Sequence, residues 1–142
     1  MTEEKDLLDE LTKKIIGCAY EVSNTLGSGF LESVYEKALY HQLQKDGLFA
    51  ERQCPLKIFY DGILLGEFFV DIMVEKKVLV ELKAVRELDE IHVAQAMNYL
   101  KASGMPVCLL INFGRPKMEI RRFVPYDVWK EKKTHAISHH HS

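Results

Sequence analysis

The sequence predicts an α/β domain in which a mixed β-sheet is flanked by helices, in the order α-α-β-β-β-α-β-β. Three observations predict it. Apolar residues recur at helical spacing up to about residue 45. From residue 51 the pattern changes to strand-like apolar runs broken by turn residues. A single helical segment then separates two further short strands, which is the signature of a β-α-β crossover.

Each element follows from its residues. Leu7, Leu8, Leu11, Ile15, Ala19, Val22 and Leu26 define a helix over about 4–26, ended by Gly27 and Gly29. Leu31, Val34, Tyr35, Ala38, Leu39 and Leu43 define a second over 31–45, stopped by Gly47. The run 51–60 leads into Asp61-Gly62, a hairpin turn signal, and ILLGEFFVDIMV returns as the second strand. Glu75, Lys76 and Lys77 form a polar turn before VLVELKAV, the third strand. A helix over 91–102, a buried strand over 106–113, a Gly114–Pro116 turn and a last strand in MEIRRFV complete the chain. We expect one domain over 1–128 and an irregular tail over 129–142, whose His139, His140 and His141 are set aside from metal arguments.

Composition narrows the function. No apolar run approaches the roughly 20 residues needed to cross a bilayer. The acidic start MTEEKDLLDE lacks the apolar stretch of a signal peptide, so a cytoplasmic protein without membrane association is expected. Cys18, Cys54 and Cys108 lack metal or disulfide spacing and read as small buried hydrophobes. A net charge of −2 argues against a general polyanion binder, although Arg115–Lys133 is locally basic. That segment reads first as a solvated face.

The informative anomaly is charge inside apolar strands. Asp71 interrupts FFVDIMV, and Glu81 and Lys83 lie two apart in VLVELKAV, on one face of a strand. A three-residue turn at 75–77 puts Val74 opposite Val78 and therefore Asp71 opposite Glu81. Carboxylates so placed repel each other. A two-residue turn would put them on opposite faces. A divalent cation relieves the repulsion, since Mg²⁺ takes one or two protein carboxylates, keeps several waters and accepts phosphate oxygens. Lys83 can then position a water or offset phosphate charge. The plainer alternative is an exposed Glu81–Lys83 pair. In the third helix Gln95 and Tyr99 share a face, and Gln95 could point at the site while Tyr99 meets a phosphate or base. His92 reads as a surface or capping residue. Glu32 is either a first-turn glutamate favoured by the helix dipole or a third acidic group reaching the metal.

These residues resemble a known family. Gly29-x-x-Glu32-x-x-Tyr35 matches the signature of the small bacterial GxxExxY proteins. The likeness continues through Tyr60-Asp61-Gly62, Gly66-Glu67, Val70-Asp71, Val80-Glu81-Leu82-Lys83-Ala84, Gln95-x-x-Asn98-Tyr99-Leu100 and Leu110-Ile111-Asn112-Phe113-Gly114, over about residues 5–125. That family looks like a branch of the PD-(D/E)XK nuclease superfamily. The resemblance implies a restriction-endonuclease-like core and Mg²⁺-dependent hydrolysis of phosphodiester bonds, with Mn²⁺ able to substitute and DNA preferred to RNA. It implies catalytic roles for Asp71, Glu81, Lys83, Gln95 and Glu32. The metal would be held by Asp71, Glu81, the Leu82 backbone carbonyl and Glu32, and Tyr99 and Tyr35 would meet the substrate. Val70 stands where the superfamily motif has proline. Two alternatives are carried: a nuclease-fold nucleic-acid-binding or assembly module without turnover, and a structural homodimer with the charged strands at the subunit contact.

Overall fold

The computed structural model describes residues 2–126. The tail 129–142 and the basic residues Lys130, Lys132 and Lys133 lie outside the described residues. The elements are α1 (Thr2–Leu26), α2 (Glu32–Lys45), β1 (Ala50–Tyr60), β2 (Ile63–Val74), β3 (Val78–Lys83), α3 (Glu90–Ser103), β4 (Val107–Asn112) and β5 (Glu119–Phe123). This is the predicted order. The five strands form one mixed sheet in chain order, antiparallel except where β3 and β4 run parallel across the α3 crossover.

Strand alternation divides the core between the two faces of the sheet. Val78, Val80 and Leu82 of β3 pack with Ile15, Ala19 and Val22 of α1 and Leu39 and Leu43 of α2. Leu79 of β3, with Cys108 and Leu110 of β4, packs instead with Ala96, Tyr99 and Leu100 of α3. All six residues of β4 are buried, as a central parallel strand requires. The three cysteines are free and buried, as read from their neighbours.

The turns carry the register. Asp61 and Gly62 both take positive φ, the requirement of the tight hairpin turn their sequence signals. The 75–77 turn achieves the same without glycine, with φ of 53° at Glu75 and 54° at Lys76. Its strain is offset by Phe49. Glu75 N donates to Phe49 O at 2.7 Å, and Phe49 N donates to Glu75 Oε2 at 2.9 Å. The N-terminal end of α2 is less buried than its pattern predicts. Leu31 precedes the helix and is 78% exposed, and Val34 is 37% exposed.

β3 ends at Lys83, two residues earlier than predicted, because β4 takes over its next backbone groups by other means. Phe113 N donates to Lys83 O at 2.8 Å. Asn112, fully buried, then accepts from Val85 N and donates to Val85 O, each at 3.0 Å. Gly114 lies so close to this segment that a Cβ would stand 2.1 Å from Val85 O and 2.4 Å from Val85 N. Gly114→Ala should therefore destabilise the protein by about 3 kcal/mol or more, beyond ordinary overpacking because the obstacle is backbone. Gly17→Ala is the contrasting case. Gly17 is an exposed position inside α1 with nothing within 4 Å of an added Cβ, and the change should stabilise by about 0.5–1 kcal/mol. Urea denaturation of both variants checks the pair.

Candidate active site

The β2–β3 ladder runs Val74↔Val78, Met73↔Leu79, Ile72↔Val80, the register expected of a three-residue turn. One step further it would set Asp71 against Glu81. There the backbone ladder stops and the carboxylates replace it. Asp71 N donates to Glu81 Oε1 at 3.0 Å, and Leu82 N donates to Asp71 Oδ2 at 2.8 Å. Each acid thus takes a backbone N–H from the other strand. The opposite side of β2 breaks at the same point. Its ladder with β1 pairs Arg52↔Ile72 and Cys54↔Val70 but skips Gln53 and Asp71, and Gln53 has φ of 50°. Strand alternation also fails here, since Val70 joins the core on the α3 side and Ile72 the core under α1 and α2. Asp71 therefore stands where the sheet parts on both sides.

The electrostatics follow from burial. Glu81 is 3% exposed. Desolvation, then the Asp71 charge, pushes its pKa up to about 8, against opposition from the Asp71 N–H and Lys83. Asp71 is pushed up to about 6, first by burial, with the Leu82 N–H opposing and the Glu36 and Glu32 charges adding to the rise. Lys83 stands two residues on from Glu81 on the half-buried end of β3, held by the Asn112–Gly114 lock at its exit.

Around the pair, the structure brings together some predicted residues and not others. Tyr99 is nearly buried, and its hydroxyl accepts from Gln95 Nε2 at 3.2 Å. Burial and then the Glu81 charge raise its pKa, with a smaller rise from Asp71. Tyr99 therefore lies in the field of the carboxylates, with Gln95 bonded to it. Glu32 is exposed at the start of α2. Partial desolvation raises its pKa, while Lys83, the second cause, lowers it. It thus neighbours Lys83, but among the described residues no three acidic, histidine or cysteine side chains converge as a metal cluster. The geometry is a carboxylate pair with Glu32 near enough for its charge to act on both acids. His92 caps α3, its Nδ1 accepting from Asp89 N at 3.1 Å.

Tyr35 requires a correction. It was expected at the substrate, but it is fully buried and stacked on Phe113 at 4.7 Å between ring centroids. Its hydroxyl donates to Gly27 O at 2.6 Å and accepts from Phe30 N at 3.2 Å. It fastens the glycine turn that launches α2, so the spacing from Gly29 to Tyr35 is structural.

Pattern reading missed the supports of Asp71. Glu36 is 6% exposed and accepts from Arg52 Nε at 3.1 Å and Nη2 at 2.8 Å. Gln53 Nε2 donates to Glu36 Oε1 and lies 3.4 Å from Asp71 Oδ1. This chain ties α2 to the parted strand. The i, i+4 relation of Glu32 and Glu36 was visible in the sequence. Which of them turns inward depends on the packing of α2 against β1. The basic segment is also partly accounted for, because Arg122 pairs with Asp9 at 2.8 Å and Arg115 with Glu119 at 3.6 Å.

The fold agrees with comparisons to known proteins. A family profile described as the PD-(D/E)XK nuclease superfamily matches residues 9–123. The chain belongs to that superfamily. A solved structure titled "Crystal structure of SSO0001" superposes with a TM-score of 0.52 at 16% identity, covering 65% of this chain and 48% of the other. The chain thus spans about half the length of that structure, which shows a shared fold. No curated protein matches the sequence.

The raised carboxylates make a pH prediction for the protein in chelator. The folded state holds protons on Asp71 and Glu81 that the unfolded chain has released. The stability contributed by these two groups is therefore fully present below about pH 4 and is lost as pH rises toward about 8, as both acids charge. Glu81→Gln removes the Glu81 share of that loss and leaves the Asp71 share. Its melting temperature should exceed that of the unmutated protein increasingly from about pH 5 to about pH 9. Separately, Tyr35→Phe should cost about 1–3 kcal/mol in urea denaturation by stranding the Gly27 carbonyl.

Proposed function

We propose that the chain is a Mg²⁺-dependent nuclease, with Mn²⁺ as a substitute, that hydrolyses DNA in preference to RNA. The observation that carries this reading is a carboxylate pair, each acid bonded to a backbone N–H of the facing strand at a break in the sheet, next to a lysine, in a chain of the PD-(D/E)XK superfamily. The motifs from Gly29 to Gly114 support the GxxExxY branch, and the preference for DNA rests on that resemblance.

The donor set fits a hard divalent cation. Asp71 and Glu81 each spend an oxygen on a backbone N–H, and their mutual repulsion favours a cation between them. Because Leu82 N points toward Asp71, the Leu82 carbonyl of the same extended residue opens to the same side. A bound Mg²⁺ would supply charge stabilisation for the phosphoryl group and a more acidic water. The chain's own residues do the rest. Glu36, Arg52 and Gln53 hold Asp71 in place. Lys83 presents an ammonium that orients the attacking water or offsets phosphate charge. Gln95 and Tyr99 contact the substrate strand, and Glu32 supplies a further acid at the rim. The binding-module alternative has less support, since Arg115 and Arg122 are engaged in ion pairs within the domain.

Two measurements test the reading. Calorimetric titration of Mg²⁺ and Mn²⁺ should show binding that Glu81→Gln loses, and binding unchanged in that variant would remove the metal assignment. Lys83→Ala should lower the rate of metal-dependent cleavage by about 10²–10⁴-fold with its urea transition unmoved. Full activity in that variant would remove its proposed role.

A further inference from the structure

The β1–β2 hairpin runs well past the core, and it carries large apolar side chains into solvent. Phe59 is 59% exposed and Phe68 47% exposed. Between this overhang and the outer stripe of α3 lies a groove of about 750 Å³. Its walls hold the rings of Phe59, Phe68 and Tyr99 and the carboxamides of Gln95 and Asn98. The charged residues among its lining, Lys57 and Lys101, are both cationic. Phe68 and Tyr99 lie 5.9 Å apart between centroids, tilted at 46°, and form one corner.

The groove adjoins the candidate active site through Tyr99, which lines the groove, bonds Gln95 and lies in the field of Glu81 and Asp71. Tyr99 packs in the same core cluster as Leu110, the β4 partner of Glu81. We propose that this groove holds one or two unpaired bases of a single-stranded nucleic acid whose adjoining phosphate lies at Asp71 and Glu81. This deepens the nuclease reading and rests on it.

Four features fit that occupant. Exposed aromatic rings offer stacking faces for bases, and such faces are available only when a base is unpaired. Carboxamides carry both donors and acceptors, which suit a base edge. The lysines match the charge of a phosphate backbone. The volume lies within the range of small-ligand sites, about 300–1,000 Å³, enough for one or two bases.

Fluorescence anisotropy with labelled oligo-dT, oligo-rU and a duplex of equal length tests this, with Ca²⁺ present in place of Mg²⁺. We expect single strands to bind about tenfold or more tightly than duplex. Phe59→Ala and Phe68→Ala should each weaken single-strand binding about fivefold or more and leave duplex binding and melting temperature unchanged. A preference between dT and rU would report recognition of the 2′-hydroxyl or the thymine methyl and support the proposal. Equal affinity for single strand and duplex, or unchanged binding in both variants, would overturn it. So would a fall in oligomeric mass in these variants with oligonucleotide binding intact, because a second copy would then cover the groove. Cleavage that fails while single-strand binding persists would count against the nuclease reading and leave the groove assignment standing.

Discussion

Two carboxylates forced together inside a largely apolar sheet set the terms for the rest of this structure. A buried acid without a partner costs several kcal/mol, and Asp71 and Glu81 meet that cost by taking backbone N–H groups from each other's strands. The exchange works only where the backbone ladder has ended. The local parting of the sheet and the placement of the acids are therefore one feature. Burial raises both pKa values, and the Asp71 charge adds to the rise at Glu81. A site in that condition favours cations, which suits nuclease chemistry.

The surrounding scaffold holds this arrangement from three directions. Below it, the 75–77 turn and its bonds to Phe49 fix the β2–β3 register. On the α2 side, Glu36, Arg52 and Gln53 brace Asp71. At the far end of β3, Asn112 and Gly114 replace strand pairing with a side-chain bridge and a close backbone approach. Tyr35 governs the second of these at a distance, since its hydroxyl ties the Gly27 carbonyl to the start of α2.

The α3 helix links the carboxylates to the overhanging hairpin. Its inner stripe of Ala96, Tyr99 and Leu100 packs into the sheet, and its outer stripe, with Ile91, Asn98 and Lys101, faces the groove. Tyr99 lies where the two stripes meet. One helix thus serves as core, as wall of the acidic site and as floor of an aromatic groove.

The sequence by itself determined the element order, the hairpin at Asp61-Gly62 and the β2–β3 register, because apolar periodicity and turn chemistry are local properties. It also marked Asp71, Glu81 and Lys83, since charge inside an apolar strand is conspicuous without coordinates. Only the tertiary structure decided the rest. Glu32 and Glu36 look alike on the helix, and the approach of Arg52 from β1 selects which one is buried. Gln53 shows no pattern, and its role comes from a positive φ opposite Asp71. The sequence places Tyr35 at the substrate, yet the side on which Phe113 packs turns it inward. These outcomes depend on contacts between residues far apart in the chain, and no local period encodes them.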